Sequence, residues 1–224
     1  MKSRIVVMLT HHDKTVANAI ETFRSCSDLP VKYWGFKDIG LEKEKMKELI
    51  GDMKKAGKET ALEVVTYSES ECAASAKLAV ELGFDYLMGT IFYPSVWEYL
   101  KDVKIKYFPF TGHISGSPSV LEGTVEEIIA QGEKLTEAGV AGFDLLAYRY
   151  TGDPEELARR YVSAMKIPVV IAGSINSRER MQFVEDIDAW GFTMGGALFE
   201  GVFAQGEGFR ENLKAVLALM ETIQ

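Results

Sequence analysis

Pro168-Val169-Val170-Ile171-Ala172-Gly173-Ser174-Ile175 and, after a polar stretch, Gly191-Phe192-Thr193-Met194-Gly195-Gly196-Ala197-Leu198-Phe199 decide how this chain is read. The first is a short apolar run that ends in small residues, and the second follows the same plan. Strands buried on both faces of a parallel sheet read as continuous apolar runs rather than as alternation. The small residues that end each run serve a different need. A backbone N–H can approach an anion closely only where no Cβ stands in the way, and glycine removes it. Two such endings on consecutive strands predict one anion site built from Gly173, Ser174, Gly195 and Gly196, with a short helix over about 197–202 behind it.

Working outward, the same rhythm runs through the whole chain. Short β-branched and aromatic runs alternate with longer amphipathic stretches, the pattern of repeated βα units. Strands are expected at Ile5–Leu9, Val31–Phe36, Thr60–Val65, Asp85–Met88, Lys106–Phe110, Gly142–Leu146, Pro168–Ala172 and about Ala189–Thr193. Helices are expected at about Thr15–Ser25, Leu41–Ala56, from Ser68 through Leu82, Pro94–Leu100, Thr124–Ala138, Pro154–Ala164 and Phe209–Ile223. Gly57, Gly83 and Gly139 fall where helices should stop. With no linker and 224 residues, the expectation is a single (β/α)8 TIM barrel spanning 1–224, a fold that runs from ~200 residues upward.

Composition narrows the function. The formal charge of −8 argues against nucleic acid, whose phosphates are met by basic faces. Any phosphate site must therefore be local. The N-terminus does not read as a signal peptide, and no apolar run approaches the ~20 residues of a membrane span. A cytoplasmic location is expected, with no membrane partner. Cys26 and Cys72 lack metal-ligand spacing and are expected as reduced thiols. His11-His12-Asp13 invites a metal reading, but adjacent histidines point apart and no complementary cluster appears. No metal and no cofactor are expected. Tyr93, Trp97 and Tyr99 could mark a homodimer face, although packing of a helix onto the barrel explains them as well.

The pair of glycine-ended strands at 168–200 resembles the phosphate site of the ribulose-phosphate-binding barrel superfamily. That group includes indole-glycerol-phosphate synthase, ribulose-phosphate and hexosamine-phosphate epimerases, and keto-acid phosphate aldolases. A smaller echo lies at Ala61–Val65 followed by Ala79–Asp85, similar to the run that carries a glutamate in indole-glycerol-phosphate synthase. Other basic residues of that enzyme have no counterpart here, so its activity is not carried over.

Chemistry in such barrels sits at the C-terminal strand ends. Lys37 closes the second strand behind Tyr33-Trp34-Gly35-Phe36, and this apolar approach should desolvate the ammonium and lower its pKa. It could serve as base, electrostatic clamp or Schiff-base nucleophile. Glu63 lies inside the apolar third strand and Asp144 inside the sixth. A buried carboxylate is costly unless paired or functional. Lys37, Glu63 and Asp144 together would suit proton transfer beside a carbonyl. His113, in the long connection after strand five, could shuttle a proton. Arg149, after strand six, could clamp a substrate carboxylate or second phosphate. The expected function is an isomerase, epimerase or aldolase acting on a small phosphorylated sugar or keto acid. A phosphoribosyl-type transferase or synthase, or a non-catalytic barrel that binds a phosphorylated metabolite, are the alternatives.

Overall fold

A computed structural model describes residues 2–223. Eight parallel strands form one sheet: β1 (Arg4–Met8), β2 (Tyr33–Lys37), β3 (Glu59–Val64), β4 (Tyr86–Gly89), β5 (Lys106–Phe108), β6 (Phe143–Leu145), β7 (Val169–Ile171) and β8 (Gly191–Met194). Their order is β6-β7-β8-β1-β2-β3-β4-β5. Between β5 and β6 the seam is drawn together by single bonds, Ala141 N–H to Tyr107 O at 3.0 Å and Asp144 N–H to Pro109 O at 3.3 Å. The sheet is thus a nearly closed barrel, as the rhythm of the sequence predicts.

The helices are α1 (Ala19–Cys26), α2 (Lys43–Lys55), α3 (Glu69–Leu82), α4 (Pro94–Leu100), α5 (Val125–Ala138), α6 (Pro154–Ala164), α7 (Arg178–Asp186), the one-turn α8 (Gly196–Phe199) and α9 (Phe209–Thr222). Their ends follow from local chemistry. Ser68 and Thr124 open α3 and α5 with reciprocal capping boxes to Glu71 and Glu127, which satisfy two otherwise orphaned N–H groups each. Asp153 caps α6 ahead of Pro154. Among the described residues no helix is long and apolar enough to cross a membrane. Cys26 and Cys72 are free, buried thiols.

The core has two layers. Between sheet and helices packs a large shell that includes Trp34, Phe23, Leu62, Phe143 and Phe192. Inside the barrel sits a smaller cluster of Val6, Met8, Ala61, Tyr86, Met88, Phe108 and Val170. The strand period of two fixes which residues face it. Register pairs Lys37 with Glu63 and Asp144 with Val170, so these charged residues share the inward set with the interior cluster.

Several boundaries differ from expectation. α1 begins at Ala19 rather than near Thr15, because Lys14–Thr15 turns back to pair with Thr10–His11 in a short hairpin. The connection after β5 is not an open loop. His113–Ser115 and Val120–Glu122 form a second hairpin. The last strand runs Gly191–Met194, two residues later than Ala189, since Ala189 N–H bonds back to Val184 O at the end of α7.

Candidate active site

At the C-terminal end of the strands lies a cavity of about 270 Å³. Lys37, Glu63, Arg149, Gly173, Ser174, Gly195 and Gly196 all line it. The two glycine-ended segments therefore meet at one place. Among the described residues, no backbone bond outside the regular helices and strands is donated by the N–H groups of Gly173, Ser174, Gly195 or Gly196. The structure gives these four donors no protein acceptor among the described residues, and all four residues line the polar cavity. Gly173, Gly195 and Gly196 are half-buried and Ser174 is exposed; backbone N–H groups left without a protein partner take one from solvent or a ligand.

The glycines also have packing reasons. Gly173 takes φ 110°, and a Cβ there would come within 3.0 Å of the Tyr148 Cβ. A Cβ on Gly195 would stand 2.9 Å from the Met8 carbonyl oxygen and 2.8 Å from Thr10 Oγ1. At Gly196 nothing lies nearer than Glu200 Oε1 at 3.6 Å, so that position has no packing need for glycine. The loop after β7 is held from outside. Arg180 donates to the Ser174 carbonyl and stacks its guanidinium 4.2 Å over the Tyr148 ring.

Opposite the amides stands a charged cluster that sequence reading assembled only in part. Lys37 Nζ donates to Asp13 Oδ1 at 2.8 Å and lies 3.6 Å from Glu63 Oε1. Arg149 grips Asp13 with both nitrogens, Nη1 to Oδ2 and Nη2 to Oδ1, each at 3.0 Å. It is bidentate as expected, but on the chain's own carboxylate. Asp13 drew attention in the sequence only through the metal reading of His11-His12-Asp13, which did not reveal it as the partner of Lys37 and Arg149. It sits at the tip of the first hairpin, where His12 and Asp13 both have positive φ, 49° and 58°. A two-residue hairpin turn of this kind needs that conformation at both positions. Asp is among the few non-glycine residues that adopt it readily. The signal present in the sequence was the strand end at Leu9 followed by a short polar run with Asp in it.

Burial alone would raise the Asp13 carboxyl, but hydrogen bonds from Arg149 and Lys37 outweigh it and hold the pKa down to about 2. For Lys37 the lowering expected from its apolar approach is not what the structure gives. Burial does pull the ammonium down, but the charge of Glu63 and the hydrogen bond to Asp13 raise the pKa above its ordinary value. Lys37 is therefore a fixed cation. Asp144 is fully buried and does not line the cavity. Burial first, and then the charge of Glu63, push its carboxyl well above the usual range. Neither of its oxygens has a hydrogen-bond partner, so burial there disfavours its charged form.

His113 lies elsewhere. It is not among the lining residues, its side chain is 72% exposed, and its Nδ1 stands 3.3 Å from Glu122. The hairpin pushes it outward. The same hairpin instead turns Pro118 and Ser119 to the cavity, and Arg149 Nη1 reaches the Ser119 carbonyl at 3.4 Å. Asp38 faces away toward α3, where it accepts from Ser75 Oγ at 2.7 Å. Among the described residues no group of three or more His, Cys, Asp or Glu is placed to hold a metal ion. Trp97 packs inward against Tyr107, with ring centroids 6.2 Å apart.

No protein-family model matches this sequence, and no curated protein matches it either. Solved structures do. Orotidine 5'-phosphate decarboxylase from Pyrococcus horikoshii superposes with a TM-score of 0.71 at 16% identity, covering 97% of this chain and 99% of that one. The tryptophan synthase alpha chain from Legionella pneumophila gives 0.68 at 12%, covering 99% and 91%. Tryptophan synthase from M. tuberculosis gives 0.67 at 14%, covering 100% and 94%. The chain is a TIM barrel, and the solved structures that superpose on it include a decarboxylase and tryptophan synthase. At these identities the likeness is one of fold, and fold alone does not assign a reaction.

Proposed function

We propose that this protein is an enzyme that moves a proton at the carbon next to a carbonyl in a small phosphorylated sugar or keto acid. One observation carries the reading. The unpartnered amides at Gly173, Ser174, Gly195 and Gly196 and the buried Lys37–Glu63 pair open into the same cavity of about 270 Å³. That is just below the ~300–1,000 Å³ of ordinary ligand pockets, so the ligand must be small. It also favours a single phosphate ester over a phosphoribosyl donor with its acceptor. Several of the structural neighbours are named as enzymes, and one is named for a 5'-phosphate compound, which supports a phosphate-binding catalytic barrel.

The phosphate would take the four amides, with the Ser174 hydroxyl as a further donor. Lys37 has three N–H donors. Asp13 takes one, and Glu63 lies at ion-pair distance. An N–H is left to polarise the substrate carbonyl and hold the charge that develops on its oxygen. Glu63 would take the proton from the adjacent carbon. Asp144, whose buried carboxyl is pushed toward its neutral form, adds less negative charge to the cluster than a solvated aspartate would. A Schiff base at Lys37 would need a neutral amine and would leave Asp13 and Glu63 without their cation. The charged state of Lys37 therefore favours isomerisation or epimerisation over lysine-based aldol cleavage.

The test is solvent-deuterium exchange, followed by NMR, in a panel of aldose and ketose phosphates of three to five carbons. Deuterium should enter at the carbon beside the carbonyl in at least one of them, and Glu63→Gln should stop it. Tight phosphate binding with no exchange anywhere in the panel would sink the catalytic reading.

A further inference from the structure

The cavity holds two strong cations, and both are already engaged. A planar guanidinium fork and an ammonium converging on one carboxylate is the arrangement by which proteins recognise a carboxylate ligand. Here Asp13 fills it, with Arg149 at 3.0 Å on each oxygen and Lys37 at 2.8 Å. The other carboxylates facing the cavity are Glu63 and Glu200. Glu200 lies at the rim beside Gly196, 3.3 Å from His11 Nε2. The remaining polar lining includes the hydroxyls of Thr10 and Thr193. These two residues are only 8% and 7% exposed, and neither hydroxyl has a hydrogen-bond partner among the described residues.

Such a lining sorts ligands by chemistry. Carboxylates and threonine hydroxyls can accept from the O–H groups of a polyol. A ligand carboxylate would meet like charge from Glu63 and Glu200, and could grip Arg149 and Lys37 together, as Asp13 does, only by evicting Asp13, whereas the one Lys37 N–H left over serves a neutral carbonyl oxygen. Eviction would exchange one carboxylate for another and leave Asp13 unpaired at a mostly buried site, an unfavourable trade.

We propose that Asp13 is a specificity determinant: an internal carboxylate that reserves Lys37 and Arg149, so that the cavity admits phosphate monoesters bearing neutral hydroxyl or carbonyl groups and excludes phosphorylated acids. The inference rests on the phosphate reading above. Of the two substrate classes left open there, it selects the sugar.

Calorimetric titration with inorganic phosphate, glycerol 3-phosphate and 3-phosphoglycerate tests it. The last two have the same carbon count and differ in CH2OH against carboxylate. Inorganic phosphate and glycerol 3-phosphate should bind, and 3-phosphoglycerate should bind about tenfold or more weakly than glycerol 3-phosphate. Asp13→Asn should move that ratio toward the acid or reverse it, since it frees both cations. Glu200→Gln, at the exposed rim, should move it the same way by a smaller factor, and serves if Asp13→Asn lacks a cooperative unfolding transition. Equal or tighter binding of 3-phosphoglycerate by the unmodified protein overturns the exclusion while leaving the phosphate site intact. So does a ratio that no folded variant shifts. Failure of both inorganic phosphate and glycerol 3-phosphate to bind removes the phosphate reading itself, and this inference with it.

Discussion

The two ends of the barrel interior solve the same geometric problem in opposite ways. At the N-terminal end Tyr33, Tyr86, Phe108 and Trp190 meet edge to face or tilted, with ring centroids 5.1–6.2 Å apart. Lys106 and Arg4 lie over the outer rings at 4.4 Å and 4.9 Å. Little space remains there. At the C-terminal end the same inward positions carry Lys37, Glu63 and Asp144, and a cavity of about 270 Å³ opens above. Aromatic filling makes one end a plug that stabilises the fold. Charge at the other end is held by ion pairs beside the unpartnered Asp144, and costs stability wherever its pairing is incomplete.

That contrast can be broken from both sides. Phe108→Ala should cost about 3–5 kcal/mol of unfolding free energy, measured by urea denaturation, while phosphate affinity stays within twofold. Glu63→Gln should do the reverse. Catalysed deuterium exchange should fall by roughly 10²–10⁴-fold, with the unfolding midpoint nearly unchanged because the amide keeps the shape. A variant at either end that moved both readouts together would show that plug and mouth are not independent.

A smaller effect sharpens the electrostatic half. The folded pKa of Asp144 lies above its unfolded value. Between the two values the native state binds the extra proton, so stability falls as pH rises from the ordinary carboxylate range. Asp144→Asn should remove this slope and gain stability relative to the parent protein toward neutral pH. Asp13 has the opposite sign. Its pKa is lowered to about 2, so its contribution is present above pH ~4 and is lost as pH falls toward 2. Urea titrations of the parent, Asp144→Asn and Asp13→Asn across pH 2–8 should give parent-minus-variant differences whose slopes have opposite sense.

The barrel was legible because its strands are buried on both faces and its helices on one. Burial of that kind leaves apolar runs and periodic stretches that survive without coordinates. The glycine endings at 173 and 195–196 were legible for a related reason, since close approach of backbone excludes side chains. Lys37 and Glu63 stood out as charges in apolar strands, and the parallel register then placed them side by side. Asp13 was hidden because a turn residue in a polar run looks solvated. Only the fold-back of the Thr10–Thr15 hairpin carries it over the barrel mouth to Arg149. The pKa of Lys37 was misjudged because burial by its apolar sequence neighbours was not weighed against the charge of Glu63, and the second carboxylate partner, Asp13, was not visible.

The smallest effect concerns the second hairpin. His113 lies in the hairpin after β5, and sequence position alone makes it a candidate proton shuttle. In the structure its ring points to solvent and to Glu122, 3.3 Å away, an exposed contact of a class worth at most ~1 kcal/mol. The cavity is met by Pro118 and Ser119 from the same hairpin, and the Ser119 hydroxyl is fixed to Tyr67 at 2.5 Å. His113→Ala should therefore change stability by less than about 0.5 kcal/mol and leave phosphate affinity and deuterium exchange as they are. Tyr67→Phe, which unties the hairpin from the strand-three loop, should weaken ligand binding more than His113→Ala does. Parallel titrations of the two variants with inorganic phosphate would decide whether the hairpin acts through its histidine or through the edge it presents to the barrel mouth.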